Sequence, residues 1–406
     1  MRAGWTAASL VALTMVAHAG STAEPQKQAA PLPTMQEFAS AVASSSPKAR
    51  RDALRGLREH GGPETLVLLA SLVGDSEVDI REGAVSTVID VYVPSAKKRM
   101  ASHTPTSFDV ARFRAQVWPA PVDLNTALVK ALADEEPAVR RDAAYAVGIV
   151  LAPPVSDAAA FELTSSLSDR EPSVRIAAAR ALGRLRVKSA GAELIGRVND
   201  EDLDVRLAAM RALEDLREER AVKALADQFS FYVRGVAGRA AISALAAIGH
   251  PSSVALFEAQ STSRYPAHRW AAYEGLARSG RAAAIVPRIE AAKASEKDSR
   301  VRTAMAFALA SAGKEGVNQI IDALADRNDA ESALAYLIDL GRPQVPAIAA
   351  RLNDPNPVVR EQIAIALGFI GGPEAVAALN GATREAEPAV RNAIDVAIVR
   401  TSRIAR

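Results

Sequence analysis

The sequence predicts an all-α protein, a right-handed α-solenoid of about eleven stacked helical hairpins. Three observations support this fold class. A short pattern of an acid, a proline, a valine-arginine pair and a run of alanine and leucine recurs along the chain. Apolar residues inside the pattern follow the 3.6-residue period of an α-helix. The chain is also 49% hydrophobic with only 4% aromatic residues, which is typical of closely packed helices.

The recurring pattern defines the repeat. Its clearest copy is DREPSVRIAAARALGRL, residues 169–185, and similar strings begin at Asp75, Asp134, Asp200 and Asp354. Eleven units are aligned on the arginine at Arg50, Arg81, Arg140, Arg175, Arg206, Arg234, Arg269, Arg302, Glu331, Arg360 and Arg391. Nine of the ten intervals are 28 to 35 residues long and one is 59. Since one such unit cannot bury a core alone, the units must stack.

Each unit is predicted to form two antiparallel helices. Apolar or small residues lie on one face of the second helix, as in Val174, Ala178, Ala181 and Leu182. A shorter apolar helix precedes each acid. Prolines mark the first turn of several second helices, where a missing N–H breaks no hydrogen bond; these are Pro47, Pro137, Pro172, Pro357 and Pro388. Glycines are expected as C-caps of the second helices at Gly183, Gly249, Gly341 and Gly371.

The acid, proline, valine-arginine and alanine-leucine-glycine pattern resembles the HEAT-repeat family, in the bacterial form also seen in phycobilin lyases. The resemblance covers most of residues 34–406 and implies an α-solenoid. It also implies that the turn acids and helix arginines, such as Asp169 with Arg175, form a ladder between neighbouring repeats, as do Asp354 and Arg360. Two positions depart from the pattern: Glu331 replaces the arginine and His268 replaces the usual valine. Both are candidates for a local change of curvature.

The N terminus has the order of a secretory leader. One arginine precedes an apolar stretch, and Ala17, His18 and Ala19 follow it. A membrane anchor is the alternative, but it needs about 17–25 apolar residues and this stretch is shorter. We therefore predict a signal peptide at residues 1–19, a flexible tether at 20–33 and the solenoid at 34–406. The mature protein is predicted to be exported, to the periplasm or the exterior, with no membrane span.

Composition argues against most chemical sites. The chain has no cysteine, which excludes disulfides and thiolate nucleophiles. Its formal net charge of +2 is too small for a general nucleic-acid-binding surface. No histidine is followed by glutamate, as in di-iron HEAT hydroxylases, and no Gly-x-Ser-x-Gly or phosphate-loop motif is present. We expect no catalytic residue, cofactor, metal or nucleic-acid partner.

A stripe along the second helices is the first candidate binding surface. We number the second helix from the residue before the arginine, which is position 0; positions 0, 4, 7 and 8 face the core. Position 6 lies about 240° around the helix from position 0, so we expect its side chain to be exposed. The stripe consists of Tyr145, Arg180, Arg211, Arg239, Glu274, Phe307, Tyr336, Ile365 and Val396. Arginine and tyrosine are enriched at binding hot spots, which favours a partner surface at Tyr145, Arg180, Arg211, Arg239, Phe307 and Tyr336. A solvated face is the alternative interpretation.

The 59-residue interval is the second candidate. It predicts an insertion at about 94–120 that leaves the stack as a surface loop. The candidate partner-binding residues in it are Lys97, Lys98, Arg99, Arg112 and Trp118. One interpretation is a basic arm with aromatic side chains that binds an anionic partner. The other is a spacer whose aromatic side chains pack back on the adjacent repeat.

The sequence favours a noncatalytic protein-binding scaffold of the bacterial cell envelope or exterior. The arginines of the stripe favour an acidic protein partner. The alternative is an accessory enzyme or a lyase-like HEAT protein acting on a bound cofactor or protein substrate. A tightly bound cofactor in the purified protein would favour the alternative, whereas a co-purifying protein would favour the scaffold.

Overall fold

A computed structural model describes residues 33–93, 120–382 and 387–404. The described residues form eleven helical hairpins, numbered 1 to 11 in chain order, each with a first and a second helix. The hairpins are, in order, Met35–Val42 with Pro47–His60, Leu66–Val73 with Val78–Tyr92, Val122–Ala131 with Pro137–Val150, Asp157–Ser165 with Pro172–Arg184, Gly191–Arg197 with Leu203–Leu216, Val222–Phe231 with Val236–Ile248, Val254–Gln260 with Pro266–Leu276, Ala282–Ala292 with Ser299–Ser311, Val317–Ala323 with Ala330–Leu340, Val345–Ala349 with Pro357–Ile370, and Pro373–Gly381 with Pro388–Ile404. The predicted all-α solenoid is confirmed.

The ends of the helices follow the local sequence. All five predicted prolines occupy the first position of a second helix. Gly249, Gly341 and Gly371 are C-caps with positive φ, as predicted, because glycine adopts this conformation without steric cost. The prediction for Gly183 is wrong, since it lies inside the helix and Leu185 is the C-cap.

Small residues let neighbouring second helices approach closely. A Cβ at Gly183 would lie 2.6 Å from the Cα of Ala212 in the next hairpin, and one at Gly368 would lie 2.9 Å from the Cα of Ala397. The alanine-leucine-glycine element of the repeat therefore serves packing between hairpins. One continuous core of leucine, isoleucine, valine and alanine runs through the stack, which explains the low aromatic content.

Hairpins 2 and 3 stack directly on each other, although 26 residues of sequence, 94–119, lie between their described parts. First helix packs on first helix and second on second. Arg81 of hairpin 2 also donates to Asp134 in the turn of hairpin 3, with Nε–Oδ2 and Nη2–Oδ1 distances of 2.8 and 3.0 Å. The repeat register is thus preserved across the long interval.

Several predicted features lie outside the described residues. These are the leader at 1–19, nearly all of the tether and the insertion except its last residue. No helix in the part of the chain that the structure describes is both long enough and apolar enough to cross a bilayer.

The solenoid coils back on itself between hairpins 5 and 9. Arg211 in hairpin 5 and Glu331 in hairpin 9 are 120 positions apart, yet their side chains form a 2.7 Å salt bridge. Hairpins 7 and 9 are joined in the same way by Arg278 and Asp339. All four residues belong to second helices or their immediate C-terminal ends, so the second helices line the inner face of the coil.

Candidate functional site: the inner face and its arginines

An arginine-acid ladder fastens successive hairpins, as the resemblance implied. The Arg140 guanidinium donates to both carboxylate oxygens of Asp169 in the next hairpin, at 2.7 and 2.9 Å. Arg175 donates in turn to Asp200 at 2.6 Å. Burial alone would raise the pKa of Asp169, but the bonds from Arg140 and the Glu171 N–H outweigh it and hold that pKa below its ordinary value. These are structural ion pairs.

The ladder pairing is shifted by one repeat from the expected pairing. Arg175 does not bond the carboxylate of Asp169; it donates to the backbone carbonyls of Asp169 and Arg170, at 3.0 and 3.2 Å. Arg140 and Arg175 therefore each close their own turn through carbonyls and reach the acid of the following hairpin. Asp354 receives Arg360 through its carbonyl in the same way, but its carboxylate bonds Arg351 of its own hairpin.

The ladder is interrupted around hairpins 6 and 9. Arg206 donates hydrogen bonds only to the carbonyls of its own turn, at 2.8 and 3.2 Å, because hairpin 6 has Gln228 at the position where most other hairpins carry the acid. At hairpin 9, Glu331 stands where the other units carry arginine, and its carboxylate pairs with Arg211 across the inner face. His268 is 2% exposed, and it packs edge-on against Phe229, so it is a core residue.

The predicted stripe divides into an accessible and a buried part. Arg180, Arg211 and Arg239 are exposed and Tyr145 is half-buried. The exposure predicted for Phe307 and Tyr336 is wrong, since these side chains are only 3% and 1% exposed. Glu274 and Val396 are also buried, and Ile365 is half-buried. The prediction placed position 6 on a solvated side of an isolated helix, whereas in hairpins 7 to 9 this side faces another hairpin.

A cluster spanning hairpins 7 to 9 contains three of the buried stripe residues, Glu274, Phe307 and Tyr336. The Trp270 indole N–H donates to the Tyr336 hydroxyl, which donates to Glu274, both at 2.8 Å. The Tyr336 ring stacks on Phe307 with a centroid distance of 4.3 Å. Burial raises the pKa of Tyr336 above its ordinary value, so the phenol remains protonated and donates at neutral pH.

Charged residues join hairpin 9 to hairpins 5 and 7. Asp339 receives Arg217 on one carboxylate oxygen at 2.5 Å and Arg278 on the other at 2.7 Å. Arg278 also donates to Glu274. Arg211 bonds Glu214 at 2.9 Å in addition to Glu331. Sequence reasoning missed Arg217, Arg278 and Asp339, and the one available signal was the unusual glutamate at position 331.

Asp215 is an acid with an unusual environment beside Arg211. Burial raises the pKa of Asp215 to about 7; Arg211 opposes the shift, and the carboxylates of Glu214 and Glu331 add to it. Its side chain is nevertheless 36% accessible, because it faces the inner side of the coil. Asp215 therefore changes its charge near neutral pH.

Arg180 and Arg239 differ from Arg211 in having no acid in contact. Neither forms a salt bridge with any residue that the structure describes. Burial lowers the pKa of Arg180, partly opposed by Asp204 and Tyr145. The loss of hydration of a recessed cation is poorly compensated when no carboxylate is paired with it. Arg180 is the clearest such cation on the inner face.

The insertion residues Lys97, Lys98, Arg99, Arg112 and Trp118 lie outside the described residues, so their proposed role stays a prediction. Within the described ranges, histidine and acidic side chains form no group of three or more that could hold a metal.

Residues 160–238 and 317–398 match the family model for HEAT repeats. No curated protein matches the chain. Among solved structures, the complex of CpcE and CpcF of phycocyanin lyase from Nostoc sp. PCC7120 is 20% identical, with a TM-score of 0.41, covering 68% of this chain and 94% of that one. A designed armadillo repeat protein in complex with the peptide (KR)4 is 17% identical, with a TM-score of 0.37, covering 61% and 99%.

Proposed function

Since the chain belongs to the HEAT-repeat family, we propose that it is a noncatalytic, exported scaffold that binds an acidic segment of a protein partner. The binding surface is the accessible inner face of hairpins 3 to 6, which carries Tyr145, Arg180 and Arg239. Export is supported by the leader-like sequence of residues 1–19. The absence of nucleophile and phosphate-loop motifs supports a noncatalytic role.

The environment of Arg180 carries this proposal. Most other inner-face arginines are satisfied within the chain: Arg211, Arg217 and Arg278 each bond at least one carboxylate. Arg180 is accessible, is partly desolvated by its neighbours, and forms no salt bridge with the described residues. A carboxylate from a partner would complete its charge and hydrogen-bonding requirements.

The half-buried Tyr145 ring beside Arg180 suits the same role. Tyrosine supplies apolar contact area and a hydroxyl at small entropic cost, and tyrosine and arginine are both enriched at binding hot spots. An acidic peptide segment is a better match than a nucleic acid, because the formal net charge of +2 is too small for the many phosphate contacts that nucleic-acid binding requires.

The test uses the full chain and a fluorescein-labelled hexaglutamate peptide, with binding followed by fluorescence anisotropy at low and high salt. We expect salt-sensitive binding to the unmodified protein. The Arg180→Glu/Arg239→Glu variant should lose about tenfold or more in affinity while its thermal unfolding is unchanged, since neither side chain is in an ion pair.

Arg170→Glu is the matched control for Arg180→Glu alone, because both remove one exposed arginine of the same hairpin and Arg170 lies in the turn between its two helices. It should bind the peptide as the unmodified protein does. Equal loss in the control and in the Arg180 variant would show that net charge alone governs binding and would reject the proposed surface. Capture of partners from the native cell envelope, followed by mass spectrometry, then identifies the protein that supplies the acidic segment.

A further inference from the structure

Hairpin 9 places two carboxylates against an arginine surface that belongs to other hairpins. Glu331 bonds Arg211 at 2.7 Å, and Asp339 bonds both Arg217 and Arg278. Asp339 accepts from Arg217 on one oxygen and from Arg278 on the other. Two arginines therefore bind a single carboxylate through charge-assisted hydrogen bonds. The three arginines come from the second helices of hairpins 5 and 7 or the residues directly after them.

Arg217 has an unusual backbone conformation. Arg217 follows its helix with φ of 48°, in the left-handed region that favours glycine. Hairpins 6, 9 and 10 use Gly249, Gly341 and Gly371 at the corresponding C-caps. Arg186 has a similar φ of 53° after the second helix of hairpin 4, so the conformation alone does not assign a role. What distinguishes Arg217 is its 2.5 Å bond to Asp339.

Hairpin 9 is also less firmly tied to its neighbours by the ladder. Arg302 of hairpin 8 bonds only the carbonyls of its own turn. Asp329, at the turn of hairpin 9, is 2% exposed and its Oδ1 lacks a hydrogen bond, with Arg300 3.8 Å away. Ladder bonds that hold other hairpins together are therefore replaced, at hairpin 9, by ion pairs across the inner face.

We propose that Arg211, Arg217 and Arg278 form a docking surface for an acidic segment of a partner, and that Glu331 and Asp339 occupy this surface as intramolecular ligands. Partner carboxylates replace those of hairpin 9 and extend the contact that begins at Arg180. The inference rests on the proposed function, since it assumes an acidic partner on the inner face.

Charge balance supports an exchange of one carboxylate for another. With hairpin 9 in place, Arg217 has Asp339 as its carboxylate partner, and the side chain of Arg217 is 52% accessible. Loss of Asp339 leaves Arg217 without a carboxylate partner among the described residues, while Arg278 keeps Glu274 and Arg211 keeps Glu214. An incoming acidic side chain thus finds its strongest attraction between Arg217 and Arg278.

The experiment removes the intramolecular ligands and measures binding of labelled hexaglutamate. Glu331→Gln/Asp339→Asn keeps side-chain shape and should raise the affinity by about tenfold, the effect of one charge-assisted bond. Adding Arg217→Ala to that variant should cancel the gain. Glu315→Gln is the control, an exposed acid on the connection that precedes the same hairpin, and should leave the affinity unchanged.

A second measurement follows the position of hairpin 9 itself. The chain has no cysteine, so spin labels attach only at Ala192→Cys and Gln319→Cys, two exposed sites on the first helices of hairpins 5 and 9. The distance distribution should broaden in the Glu331→Gln/Asp339→Asn background, and also in the unmodified background when saturating peptide is added.

Two results would overturn the inference: no gain in affinity in the double variant, or a gain that survives removal of Arg217. Either result would mean that the ion pairs of Glu331 and Asp339 only stabilise the coil. Failure of the proposed function is separate, because it appears as peptide binding to the unmodified protein that does not depend on Arg180.

Discussion

Arg175 shows how a single side chain fastens two hairpins. It is 5% exposed, closes its own turn through two carbonyls and bonds the buried Asp200 of the next hairpin. Arg175→Ala should lower the free energy of unfolding by about 2–3 kcal/mol, because Asp200 is left buried with weaker partners. Chemical denaturation with circular dichroism measures the change.

Arg206 is the matched comparison at the same repeat position. It makes the same carbonyl bonds but has no acid in the next turn, so Arg206→Ala should cost only about 1 kcal/mol. Arg206 also lies over the Tyr232 ring, 5.8 Å from its centroid, so the difference between the two variants is the excess of the Arg175–Asp200 bond over that ring contact. Equal losses would assign the stabilisation to the turn carbonyls and reject the ladder as the tie between repeats.

At the scale of the helix, the glycine of the repeat sets the distance between second helices. A Cβ at Gly183 would lie 2.6 Å from the Cα of Ala212, so Gly183→Ala should force the helices apart and cost about 1–3 kcal/mol. Gly196 also lies inside a helix, but a Cβ there meets nothing within 4 Å. Gly196→Ala should therefore stabilise the protein by up to about 1 kcal/mol. Thermal unfolding compares the two, and a neutral Gly183→Ala would show that the helices can separate freely.

At the scale of the whole molecule, burial of Asp215, to which closure of the coil adds the nearby carboxylate of Glu331, makes the stability depend on pH. The pKa of Asp215 is about 7 in the folded chain against 3.8 ordinarily, so the folded state binds this proton more tightly. Protonation of Asp215 therefore contributes its full stabilisation below about pH 4, and this contribution is lost as the pH rises to about 7. Unfolding free energies of the unmodified protein should fall over this range relative to those of Asp215→Asn. Parallel pH profiles would contradict the assignment.

The sequence by itself determined the repeat units and most of their helix ends, but not the cap near Gly183 or the pairing within the ladder. The features determined in this way are local: the eleven units, the prolines at the first position of second helices, and the glycine caps at Gly249, Gly341 and Gly371. The ladder, which links adjacent repeats, was implied by the family resemblance. Such features follow from backbone sterics, helical period and nearest-neighbour packing, which one repeat of sequence is enough to encode.

Only the tertiary structure decided which residues meet across the inner face. The small rotation between successive hairpins accumulates over four repeats and brings hairpin 9 onto hairpins 5 and 7. Phe307 and Tyr336 are therefore buried rather than exposed, Arg211 pairs with Glu331, and Arg180 remains without an ion pair among the described residues. No single repeat encodes this accumulated rotation, because it depends on the packing of all the hairpins between the residues that meet.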